Sequence, residues 1–150
     1  MFANSPLGYR ADLPSPVGET DRYEIEPRGE VLVAPVTEPG FVRQLAAVLA
    51  TGNHAVVDAD CAFLDNLPSG LSDAVIVRDA AVHSGGLMAA LVQATDDASE
   101  LLQQLAERGG PIVVPQAGEI RLDLLVREKV ISTDTTAAGG NASLMTLSPA

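Results

Sequence analysis

The chain has 150 residues, of which 47% are hydrophobic, 19% charged and 3% aromatic. This excludes a disordered chain, and the length suffices for a domain that buries roughly 70% of its unfolded surface around an aliphatic core. Nine basic residues against twenty acidic ones leave a formal charge of −11, which argues against nucleic-acid or anionic-lipid partners because like charges repel.

Residues 1–30 carry Pro6, Pro14, Pro16 and Pro27 together with Gly8, Gly18 and Gly29. They read as an extended arm or linker, with one short strand at Tyr23-Glu24-Ile25. From residue 31 the pattern becomes rhythmic. Val31-Leu32-Val33-Ala34-Pro35-Val36 is an apolar, β-branched run suited to a buried strand. Phe41, Leu45, Val48 and Leu49 recur with the spacing of an amphipathic helix, closed by Gly52-Asn53. Ala55-Val56-Val57 is the next strand, residues 61–67 allow one or two helical turns before Pro68, and Ala74-Val75-Ile76-Val77 is a third strand.

The run Leu87–Ala94 fits strand or helix by itself. Asp97 and Glu100 have the spacing of a helix-start box, and Ala98, Leu101, Leu102, Leu105 and Ala106 follow on one face before Gly109-Gly110. A helix starting at 97 needs a turn before it, so 88–94 is read as a strand. Pro111-Ile112-Val113-Val114-Pro115 is the next strand. A further parallel strand requires a crossover, so 119–128 is assigned to helix and Val130-Ile131-Ser132-Thr133 to a final strand. Strand starts about twenty residues apart predict an α/β fold with a mostly parallel sheet over 31–134.

Catalytic signatures are missing. After the first strand, Thr37-Glu38-Pro39-Gly40 offers one glycine and an acidic residue where a phosphate loop needs several glycines, and no GxxxxGK[ST] occurs. Cys61 is the only thiol; Asp58, Asp60 and Asp65 lie near it in sequence, an unfavourable setting for a thiolate. His54 and His83 are isolated, no metal-ligand spacing appears, and no GxSxG elbow is present. Asp96-Asp97 suits capping better than catalysis, and Asn141-Ala142-Ser143 spells a glycosylation acceptor without consequence in a cytoplasmic chain. No catalytic, cofactor-binding or metal-binding residue is therefore expected. The single cysteine rules out an internal disulfide, and the short apolar runs rule out a spanning helix. With no leader pattern at the start, a cytoplasmic location is expected.

The tail, residues 135–150, has no helical periodicity. Small residues at 137–142 permit close backbone approach, and Leu144, Met145 and Leu147 could fill a groove. A frayed terminus is the other reading.

The closing segment Val130-Ile131-Ser132-Thr133-Asp134-Thr135-Thr136-Ala137-Ala138-Gly139-Gly140-Asn141-Ala142-Ser143-Leu144-Met145-Thr146 closely resembles the end of the proline utilization A (PutA) family. Pro16–Thr20 with Pro27–Leu32, and Gln44–Ala50, resemble the same C-terminal domain. Asp134 and Thr136 stand where the family usually has Asn and Ala. The resemblance implies an aldehyde-dehydrogenase-superfamily, Rossmann-like domain without catalytic residues or cofactor of its own. It implies a parent enzyme with an FAD-dependent proline dehydrogenase and an NAD-dependent glutamate-semialdehyde dehydrogenase, cytoplasmic or peripheral to the inner membrane. The domain would pack on the aldehyde dehydrogenase module. Thr135, Thr136, Ala137, Ala138, Gly139, Gly140, Asn141, Ala142, Ser143, Leu144 and Met145 would be the interaction residues, helping to seal the substrate-channelling tunnel. The alternative is a small-molecule or nucleotide-binding domain. In the isolated chain, the arm and tail are expected to be poorly ordered or swapped onto a neighbouring copy.

Overall fold

A computed structural model of the chain describes residues 5–95 and 98–134. In chain order its elements are β1 (Arg10–Leu13), β2 (Glu19–Pro27), β3 (Glu30–Ala34), α1 (Glu38–Ala50), β4 (His54–Asp58), β5 (Val75–Arg78), β6 (Leu87–Val92), α2 (Ala98–Glu107), β7 (Val114–Ala117) and β8 (Val126–Asp134). The described residues fall into two compact units, 5–7 with 26–127 and 8–25 with 128–134.

The larger unit is built on five parallel strands in the order β5-β4-β3-β6-β7. It is an α/β fold of the predicted class. Successive residues of a strand face opposite sides, and β3 uses both sides for burial. Val31 and Val33 pack with Phe41, Leu45 and Val48 of α1, whereas Leu32 packs with Val56, Val92 and Leu105 of α2. The two helices thus cover opposite faces. Between β4 and β5 the chain makes only short 3₁₀ turns, at Leu64–Asn66 and Ser69–Ala74.

Local chemistry explains the ends of α1. Thr37 caps it, its hydroxyl accepting from the Gly40 N–H at 3.2 Å, and Pro39 sits in the first turn, where its missing N–H costs nothing. Gly52, at φ +69°, turns the chain out of the helix. Asn53 follows, 3% exposed. Its Oδ1 accepts from the Gly29 N–H, and its Nδ2 donates to Thr51 Oγ1 and to the Leu125 carbonyl, each at 2.8 Å. One carboxamide therefore ties the entry to β3, the end of α1 and the turn before β8. Beyond α2, the Arg108 guanidinium donates to the carbonyls of Ser84, Leu87 and Pro111 at 2.9, 3.0 and 2.7 Å, fastening the helix end to the base of β6.

The smaller unit contains an antiparallel hairpin of β1 and β2, registered Arg10↔Glu24 through Leu13↔Asp21, in a three-stranded sheet of order β1-β2-β8. Tyr9 meets Tyr23 edge to face with centroids 6.0 Å apart. Loss of solvent, then the nearby Glu128 carboxylate, raises the Tyr23 phenol above its ordinary range.

Three expectations are corrected. Residues 1–30 are not simply an arm: they supply two paired strands, with Pro14 and Pro16 in the connection and Gly18, at φ +90°, completing its turn. The helix expected over 119–128 is one 3₁₀ turn, Leu122–Leu125. The crossover argument for a helix does not apply, because the last strand, Val126–Asp134, pairs in the smaller sheet instead of extending the parallel one. The strand expected over 111–115 is shifted to Val114–Ala117. Pro115 is tolerated there because β7 is an edge strand.

Candidate functional site at the reversal of strand order

In an open parallel sheet, ligands bind outside the carboxyl ends of the strands where the strand order reverses. Here that point lies between β3 and β6, whose ends pair Ala34↔Val92. The Gln93 N–H donates to the Ala34 carbonyl at 3.0 Å and holds the two exits together.

The amino end of α1, led into by the N–H groups of Val36 and Thr37, lies at this crevice, the place where a dinucleotide's pyrophosphate would sit. The chain fills it with its own side chain. Gln93 Oε1 accepts from the N–H groups of Val36 and Thr37 at 2.9 and 3.0 Å, and its Nε2 donates to Thr37 Oγ1 at 3.0 Å. A Cβ at Gly40 would collide with the same carboxamide. The glycine thus admits an internal glutamine where a phosphate loop would admit a ligand. Glu38 adds negative charge in the first turn, its Oε1 accepting from Asn66 Nδ2 at 3.1 Å. These residues do not fit a dinucleotide, since its phosphates would meet a carboxylate and donors that already have a partner.

Beside Gln93 the crevice opens into a cavity of about 380 Å³, lined by Gly40, Arg43, Gln44, Val92, Gln116 and Ile120 among others. Gln44 and Gln116 are 4% and 8% exposed. Gln44 Nε2 donates to the Ala34 carbonyl at 3.5 Å, while Gln116 Oε1 accepts from the Arg121 N–H at 2.7 Å. Arg121 in turn pairs with Asp123, and its guanidinium holds that carboxyl below the ordinary carboxylate range.

The other residues singled out from the sequence are scattered. Cys61 is half-buried beyond the end of β4, lining a second hollow of about 450 Å³ with Asp58, Asp60 and Phe63. His54 is exposed at the opposite end of the same strand, and His83 is exposed in the 3₁₀ turn Ala81–His83. Asp58 is engaged structurally, accepting from the Ala81 N–H at 2.9 Å. Among the described residues no group of three His, Cys, Asp or Glu side chains could hold a metal, and no helix is long and apolar enough to cross a membrane. Asp96-Asp97 and the whole tail, Thr135 to Met145 included, lie outside the described residues.

Sequence reasoning missed Gln93, Gln44 and Gln116. Gln44 carried a signal: it lies three residues after Phe41 and four before Val48, a polar residue within the buried stripe of α1. Gln93 carried none, because its partners are 56 and 57 residues away.

Nearly the whole chain, 97% of it, aligns at 38% identity with the bifunctional protein PutA of Rhizobium meliloti, and 98% aligns at 38% identity with that of Salmonella typhimurium. The chain is a domain of the PutA family. It spans only 13% and 12% of the length of those two relatives. No protein-family model matches it. Three quarters of the PutA domain superposes on 14% of a crystal structure of Bradyrhizobium japonicum Proline Utilization A, with a TM-score of 0.56 and 23% identity, a likeness of fold alone.

Proposed function

We propose that this PutA domain is a non-catalytic structural element of a bifunctional, cytoplasmic proline-catabolic enzyme. In that parent, FAD serves the oxidation of proline and NAD the oxidation of glutamate semialdehyde, both on other modules. The domain packs on the aldehyde dehydrogenase module, and residues 135–145 help to seal the tunnel that passes the intermediate between the two sites. The observation that carries the reading is the self-filled reversal point: Gln93 occupies the helix end that a dinucleotide would need. Family membership across nearly the full chain supports the proline-catabolic context.

The rival is a small-molecule or nucleotide-binding domain, and thermal-shift titration with NAD and FAD tests its nucleotide form. An unmoved melting temperature is expected, while a saturable rise with either cofactor would overturn the non-catalytic reading.

A further inference from the structure

The three-stranded sheet of the smaller unit has two unlike faces. Opposite residues of β1 and β2 share a face, so Ala11 lies with Tyr23 and Leu13 with Asp21. Tyr9 joins them through its ring contact with Tyr23. On β8, Ser132 Oγ donates to Asp21 and Glu128 accepts from the Tyr23 hydroxyl, so Val130, which alternates with them, faces the same way. The opposite side carries the ion pairs Arg10–Glu24 and Arg22–Asp12, and a small hollow lined by Thr20, Arg22, Ile131 and Thr133. One face is therefore ionic, while the other presents Tyr9, Ala11, Leu13, Tyr23, Ile25 and Val130. On that apolar face Tyr9, Val130 and Leu13 are 57%, 56% and 39% exposed. A contiguous exposed patch of this kind marks an interaction surface.

We propose that the chain's own tail covers this face, with Met145 and Leu147 seated against Tyr9, Tyr23 and Val130. The tail begins where β8 ends, at Asp134, and Val130 lies four residues back, about 14 Å along the strand. The ten-residue step from Asp134 to Leu144 reaches up to about 33 Å, and Gly139-Gly140 allows the chain to reverse on the way. From Thr135 onward no side chain is charged, and Leu144, Met145 and Leu147 are three apolar residues in four. Such a segment meets the carboxylates of Asp21 and Glu128 at the edge of the patch without repulsion. A second copy fits less well, because two facing sheets would set those carboxylates against their own kind. The docking replaces the frayed or swapped tail expected from the sequence, and it stands or falls independently of the tunnel-sealing role.

Tyr9 and Tyr23 are the chain's two tyrosines and it has no tryptophan, so its ultraviolet fluorescence reports on this face. Acrylamide quenching is measured in the intact chain, in the double variant Met145→Ser/Leu147→Ser and in a chain ending at Asp134, with light scattering to give the oligomeric state. The quenching constant should rise about twofold when the tail lets go, since Tyr9 is more than half exposed on the sheet itself. Ile131→Ser, on the ionic face, should leave it unchanged. In the intact monomer, NMR should show nuclear Overhauser contacts from the Met145 methyl to both tyrosine rings. Equal quenching in the intact chain and the double variant would overturn the proposal and leave the face to another module of the parent. Protection that arises only on dimerisation would overturn it too, naming a second copy as the occupant. The double variant alters the tail and no residue of the sheet, so the comparison stands even if the shortened chain fails to fold.

Discussion

Replacing Asn53 with alanine is expected to be among the most damaging single changes outside the apolar core. The side chain is 3% exposed and makes three bonds of 2.8 Å. Two of the partners lie far away in sequence: the Gly29 N–H, 24 residues before it, and the Leu125 carbonyl, 72 residues after it. Alanine removes all three bonds and adds none. A buried group left without its partner costs about 1–3 kcal/mol, and the Thr51 hydroxyl keeps its bonds to Ala47 and Val48, so the total comes to about 3–4 kcal/mol. That is a large share of a typical domain stability of about 5–15 kcal/mol. Urea denaturation should show the midpoint falling by about 2–3 M at an unchanged slope near 1.5 kcal/mol per M. Asn53→Asp keeps the acceptor for Gly29 but sets a carboxylate oxygen against the Leu125 carbonyl, so it should be no milder. A loss below about 1 kcal/mol in Asn53→Ala would refute the view that this carboxamide joins β3, α1 and the 122–125 turn.

Leu125 is fully buried in the cluster that includes Phe41 and Leu91, and Leu125→Ala should cost about 2–5 kcal/mol in the same denaturation assay. Gln93→Ala strips the partner from the Val36 and Thr37 N–H groups; amide exchange there should accelerate, with about 1 kcal/mol lost overall, while the Thr37 cap keeps α1 formed. The Asp123 carboxyl, held low first by its hydrogen bond to Arg121, should titrate by NMR below its ordinary value. Because its folded value is depressed, its contribution to stability is present above the unfolded value and fades as the pH falls through the folded one; Asp123→Asn should abolish that dependence.

How much of this was legible in the sequence depended on the range of the forces involved. The strands β3, β4 and β6 and the helix α1 were readable because short apolar runs and a helical stripe, bounded by Pro and Gly, are local signals. The last strand was misplaced because its partner, β2, precedes the parallel sheet in the chain, and no local pattern announces such a pairing. The absence of a phosphate loop was visible at Thr37–Gly40, but the cause of closure was not. Gln93 acts only because β6 lies beside β3, and that adjacency is a property of the sheet. Gln44 was overlooked although it interrupts an apolar stripe and was detectable for that reason, while Gln116, on an edge strand, had no such background to stand against.

The most direct test of the central claim uses the parent enzyme with residues 135–150 deleted, followed from proline addition to NADH appearance. The account predicts that each half-reaction keeps most of its rate when assayed alone, while the coupled reaction acquires a lag as intermediate escapes to solvent. Linear NADH production from the first seconds, at the rate of the intact enzyme, would contradict it.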